Sequence, residues 1–162
     1  MTVVSGWDLS SRKTAIVWHS DTDDTIRWIS YEWKSDDHGV RAAQAFRSAR
    51  KFTNEYCQDQ LHLAYIEAPF IHPKNTRSVL PLAFVSGSTQ ASLHISGAEV
   101  TLVPNTEWKK SVVGNGNASK EKVTDWFIAH TEGFGGIHED QDLIDAACVY
   151  FHGARVAYTS RL

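Results

Sequence analysis

Four acidic residues hold the spacing from which chemistry can be argued. Asp8 ends the apolar run VVSGW, Glu67 ends LHLAYI, and Asp142 and Asp145 stand three apart at the head of a late apolar stretch. Residues three apart share a helix face, and a first helical turn favours negative groups through its free amides and dipole. Carboxylates that end two parallel neighbouring strands meet at the carboxyl edge of the sheet, where sites of open α/β sheets lie. If all four gather there, their repulsion calls for hard divalent cations with oxygen ligands. Two such ions can activate a water and stabilise a leaving oxygen, which is the chemistry of phosphodiester cleavage. A plainer reading stands beside this one. Asp8 then caps a turn, Glu67 opens a surface loop, and Asp142 with Asp145 caps the last helix. A D-x-x-D pair is common, so spacing alone leaves both readings open.

The elements that would position these acids follow from periodicity. Residues 3–7, 13–18 and 26–33 read as strands closing on one another across short polar turns, with DTDD at 21–24 a solvent-facing connector. Val40, Ala43, Phe46, Ala49, Phe52 and Tyr56 mark one face of a helix over 38–58. LHLAYIE (61–67) is a buried strand that Pro69 stops. A second helix covers 77–94, apolar on most sides, where Gly87, Ser86, Ser88 and Ala91 imply a close helix approach. EVTLVP (99–104) is a fifth strand, followed by helical pieces near 107–113 and 118–130 and a last helix from about Asp142. The pattern is an α/β layer with a mixed sheet in one domain over 1–162.

Composition narrows the class. The chain is 42% hydrophobic with six tryptophans, enough for a core. No apolar run reaches a membrane span, no signal peptide is visible, and Cys57 and Cys148 lack a pair motif, so a reducing, cytoplasmic setting without membrane contact is expected. The net charge of −3 weighs against nucleic acid, but its distribution does not. RAAQAFRSARK (41–51) carries four positive charges and no acid, and 107–122 carries four lysines against two glutamates. Arg41, Arg47, Arg50 and Lys51 are read as an outer helix face more than as a DNA stripe. Arg12 and Lys13 read equally as phosphate contacts or turn residues, and all eight histidines as structural.

Four segments then carry a resemblance: GWDLSSRKTAIV, YIEAPF, WKKSVVGNGNASKEKV and DLIDAACV. In this order and at these separations the sequence resembles the RuvC family of Holliday-junction resolving endonucleases, whose fold is that of ribonuclease H. The resemblance implies a ribonuclease H-like α/β fold, a mixed five-stranded sheet flanked by helices. It implies Asp8, Glu67, Asp142 and Asp145 as ligands of two Mg²⁺ ions per site, with Mn²⁺ as a substitute. Lys120 would assist phosphoryl transfer, Lys109 would contact DNA, and Lys110 adds a charge beside it. Gly114 and Gly116 would allow close phosphate approach, and Phe70 would stack on bases at a junction centre. The implied activity is paired symmetric cutting of four-way DNA junctions by a homodimer, with helix 77–94 in much of the interface. A bacteriophage or mobile-element origin fits the compact, divergent chain. Departures are Trp7, where a smaller aliphatic residue is usual, and Leu9-Ser10 in place of Pro-Gly. Competing readings are a ribonuclease H-like hybrid or flap nuclease and a catalytically inactive junction-binding protein. G-x-D-x-S also resembles the phosphate turn of sugar kinases and actin-like ATPases, whose second phosphate loop is missing here.

Overall fold

The computed structural model describes residues 1–23, 25–69, 79–131, 134 and 136–159. Along them run β1 (Thr2–Leu9), β2 (Lys13–Ser20), β3 (Arg27–Glu32), α1 (His38–Tyr56), β4 (Leu61–Glu67), α2 (Val79–Ile95), β5 (Glu99–Val103), α3 (Asn105–Val113), α4 (Lys120–His130) and α5 (Gln141–Thr159). The sheet order is β3-β2-β1-β4-β5, with β1 antiparallel to β2, β2 antiparallel to β3, and β1, β4 and β5 parallel. Ser10 closes the first hairpin without proline or glycine. Its amide and its hydroxyl donate to the Lys13 carbonyl, and its Oγ accepts the Lys13 amide at 3.0 Å. The 21–24 connector is less idle than expected, because Asp21 Oδ1 accepts the Thr2 amide at 2.8 Å.

Alternation along the strands divides the core between the two faces. Val4, Ala15, Val17 and Tyr65 meet α3, α4 and α5, whereas Val3, Trp7, Leu9, Ile16 and Trp18 meet Ala49 and Phe52 of α1. Trp7, the unusual residue of the first motif, is fully buried and stands edge-on to Phe52 at 5.1 Å between ring centroids. Its indole N–H donates to Ser5 Oγ at 2.7 Å, and that oxygen lies 2.8 Å from His62 Nε2.

Two helical faces differ from expectation. The buried side of α1 is Arg41, Ala42, Ala45, Ala49, Phe52 and Thr53, while Val40 is 46% exposed and Ala43 is exposed. The early turns of α1 pack on α2 and on Trp33, not on the sheet, which rotates the buried stripe. Arg41 is thereby removed from the outer face: its guanidinium donates to the carbonyls of Ser11 and Asp36. On α2 the residues turned inward are Pro81, Val85 and Leu93 together with Ser86, Thr89 and Ser92, and Ser92 Oγ donates to the Phe46 carbonyl at 2.9 Å. Gly87 instead faces open space, with nothing within 4 Å of a Cβ placed there.

Candidate active site at the carboxyl edge of the sheet

Pairing register brings the first two acids together. Trp7 is opposite Ile66 in the parallel β1–β4 ladder, so one residue further along each strand sets Asp8 beside Glu67. Both project on the face of Gly6 and Tyr65, the face that α5 covers. Gly6 is what lets α5 lie there. A Cβ at this position would stand 2.2 Å from the Tyr150 amide nitrogen and 2.4 Å from the Ala146 carbonyl oxygen, closer than real contacts allow. Gly153 likewise rests against the Tyr65 ring.

The second turn of α5 then delivers Asp145. Carboxylate oxygens of Asp8, Glu67 and Asp145 all lie within 4.8 Å of one another. Asp142 does not join that ring; its Oδ2 is 3.3 Å from Lys13 Nζ. Neither aspartate caps the helix as the plainer reading held. Asp140 does so, its Oδ1 accepting the amides of Asp142 at 3.1 Å and Leu143 at 3.3 Å. The carboxylates of Asp142 and Asp145 are thus not used for capping, and face Lys13 and Gln141 respectively.

Neutral donors orient the ring. Asn105 Nδ2 donates to Glu67 Oε1 at 2.5 Å, and Gln141 Nε2 donates to Asp145 Oδ1 at 2.9 Å. Burial, then the charges of Glu67, Asp145 and Asp142, push the Asp8 carboxyl well above its ordinary range, and a hydrogen bond with Glu67 adds to this. Burial raises Asp145 to about 6, with Glu67 adding to the rise while the Gln141 bond, Lys120 and Lys109 oppose it. Three hard oxygen donors gathered under that repulsion are chemically suited to a divalent cation such as magnesium.

The remaining expected residues distribute around this ring. Lys120 opens α4 and Lys109 sits on α3, both close enough for their charge to reach Asp145. Lys109 Nζ also lies over the Trp108 ring, 5.5 Å from its centroid. Lys110 is exposed in the last turn of α3. Gly114 ends that helix in a left-handed conformation, φ 84°, and Gly116 passes so near Thr106 that a Cβ would stand 2.8 Å from its carbonyl oxygen. Both glycines thus have backbone duties in the loop between the two helices that carry the lysines. Phe70 lies outside the described residues, as does His72. His138 packs its ring on Phe127, and His152 Nε2 faces Glu107 Oε1 at 3.4 Å, so neither belongs to the ring of acids.

Asp8, Leu9, Glu67, Ala68, Pro69 and Leu82 line a cavity of about 190 Å³ at the acids. Beside it, Pro104, Asn105, Thr106 and Lys109 line one of about 470 Å³. The residues that sequence reasoning passed over are Asn105, Asp140 and Gln141, and Lys13 it left undecided. An Asp two residues before the acid pair is a capping signal; the other three carry no local one.

No protein-family profile matches the chain. The crossover junction endodeoxyribonuclease RuvC of Porphyromonas gingivalis is 33% identical over 90 residues, which are 56% of this chain and 46% of that protein. That of Cytophaga hutchinsonii is 32% identical over 90 residues, 56% of this chain and 43% of its own. The chain spans about half the length of the curated relatives it matches. Among solved structures, Thermus thermophilus RuvC superposes with a TM-score of 0.72 at 14% identity, covering 98% of this chain and 96% of that one. T. thermophilus RuvC in complex with Holliday junction substrate gives 0.70 at 10% identity over the same shares. The yeast mitochondrial Holliday junction resolvase Ydc2 gives 0.63 at 11%, covering 99% and 80%. These likenesses fix the fold as ribonuclease H-like over essentially the whole chain. Over those 90 residues the chain is similar to RuvC crossover junction endodeoxyribonucleases, and over nearly its whole length it shares the fold of the solved RuvC structures.

Proposed function

We propose that this protein is a metal-dependent endonuclease that resolves four-way DNA junctions by paired, symmetric phosphodiester cleavage. One observation carries the reading: carboxylates from β1, β4 and α5 converge within 4.8 Å at the sheet edge in a RuvC-family fold. Magnesium or manganese ions, two per site during the reaction, supply Lewis acidity and an acidified water when bound. Asp8, Glu67 and Asp145 are the residues to hold them, with Asp142 from the preceding turn of α5 as the fourth ligand. Asn105 and Gln141 fix the carboxylate orientations. Lys120 and Lys109 bring positive charge to the phosphate, Lys120 being the candidate to assist its transfer, and Lys110, Gly114 and Gly116 border the DNA path. A water oxygen bonds to phosphorus as the 3′ oxygen departs, leaving 5′-phosphate and 3′-hydroxyl ends. Phe70 is assigned to stacking on bases at the junction centre.

Two symmetric nicks call for a two-fold dimer. Its proposed interface is the outward stripe of α2, where Leu80 is 56% and Phe84 44% exposed and Gly87 and Ala91 continue the line. Among the described residues no helix is long and apolar enough to cross a membrane.

The test is cleavage of a labelled mobile four-way junction beside linear duplex and an RNA–DNA hybrid, with and without Mg²⁺. Asp8→Asn and Glu67→Gln are assayed for binding and cutting. Paired nicks that vanish in both variants while junction binding persists are the expected result. Preferential hybrid cutting, or tight junction binding with no cutting in any metal, overturns it.

A further inference from the structure

The four acids are not equivalent. Three share a ring of oxygens, and the fourth, Asp142, is engaged by an ammonium group. Lys13 Nζ donates to Asp140 Oδ2 at 2.6 Å and lies 3.3 Å from Asp142 Oδ2. Its side chain is 18% exposed, whereas its neighbour Arg12, at 52%, pairs with an Asp36 that is 91% exposed. A pair as open as the latter contributes little, but the shielded ammonium is a fixed element of the site. Strand β2 sets its backbone, opposite Glu32 of β3. Asp140 is held as well, its other oxygen accepting the two amides at the head of α5. Lys13 therefore stands between two carboxylate oxygens, where a bound cation would otherwise be required.

We propose that Lys13 is the resident counter-ion and positioning residue of Asp142, so that the DNA-free protein binds one divalent ion at Asp8, Glu67 and Asp145 while the ammonium holds the second cation position. The inference rests on the metal-dependent reading above. A DNA phosphate is a strong acceptor for an ammonium group. Its arrival gives Lys13 another partner and releases Asp142, so the second ion site is completed only on substrate.

Manganese titration of the DNA-free full chain tests this, by calorimetry and by the paramagnetic resonance of unbound Mn²⁺. Wild type and Lys13→Arg are expected to bind one ion, and Lys13→Met two, because Asp140 and Asp142 then lack their counter-charge. Asp142→Asn keeps the Lys13–Asp140 tie, which makes it the variant to read if Lys13→Met does not fold. It is expected to bind one ion within about threefold of the wild-type Kd, less than 1 kcal/mol. Two ions in DNA-free wild type, one ion at unchanged affinity in folded Lys13→Met, or a loss of roughly tenfold or more in Asp142→Asn each overturn the role of Lys13. If wild type and Asp145→Asn alike bind no Mn²⁺, the metal-dependent reading fails, and this inference fails with it.

Discussion

Replacing Asp145 by asparagine should make the metal-free protein more stable and the metal-loaded protein useless. The carboxyl is held at about 6 against an ordinary 3.8, chiefly by burial. A raised carboxylate pKa means that the fold disfavours the ionised form. The stability is therefore complete below pH 3.8, falls as pH rises through 6, and stays reduced above it. That displacement is worth about 3 kcal/mol at neutral pH. Asparagine removes the charge, and its side-chain oxygen still accepts from Gln141. A gain of about 1–3 kcal/mol in EDTA is expected, or about 2–10 °C in Tm for a domain of this size. Magnesium reverses the order. A ligand at a hundred times its Kd adds about 2.7 kcal/mol to the protein that binds it, and only wild type retains the full ring. Paired thermal melts in EDTA and in Mg²⁺, with junction cleavage measured on the same samples, check the prediction. An asparagine variant less stable than wild type in EDTA, or one with the wild-type response to Mg²⁺, would refute the claim that these oxygens are crowded in order to hold a cation.

Three further expectations follow from other parts of the fold. Burial lowers His62 to about 4 from 6.5, so its stabilising contribution is present above pH 6.5 and is lost as pH falls through 4, about 3 kcal/mol in all. The stability difference between wild type and His62→Asn in EDTA should shrink across that window, and a constant difference would refute it. Gly6→Ala must push α5 off β1, at a cost of about 3 kcal/mol or more; chemical denaturation should show this, together with loss of Mn²⁺ binding in whatever folds. Arg41→Ala leaves the carbonyls of Ser11 and Asp36 without a charged donor, costing about 2–4 kcal/mol, while the Kd for Mn²⁺ should hold.

The hairpin strands β1 to β3 and the placing of Asp8 and Glu67 at strand ends were legible because they depend on patterns that survive from sequence to fold. Period-two alternation set the strands, and carboxylates ending two of them met once the register was parallel. Asp8 proved to lie within β1 and not beyond it, since the ladder to β2 runs on to Leu9 opposite Thr14. Helix α3 begins at Asn105 directly after Pro104, two residues earlier than its apolar pattern showed. What periodicity could not reveal was which helix face meets which neighbour. Arg41 looked like a surface charge because its partners are main-chain carbonyls, which carry no sequence label. Asn105 and Gln141 were invisible for the related reason that neutral donors become significant only beside the acids they orient. The division of the four acids into three and one depended on Lys13, whose partner lies 127 positions away.

The passage of α5 over Gly6 has a consequence for how this protein can vary. The pair of aspartates and the strand acids are held at one spacing by the absence of a single methyl group. In a saturation mutagenesis screen scored for function, position 6 should tolerate as little as the acids themselves, although nothing there meets DNA or metal. Residues that look interchangeable by chemistry and residues that look inert by location would then share one fitness profile. The gap between helix and strand, as much as any side chain, sets how far this chain can drift while keeping its acids together.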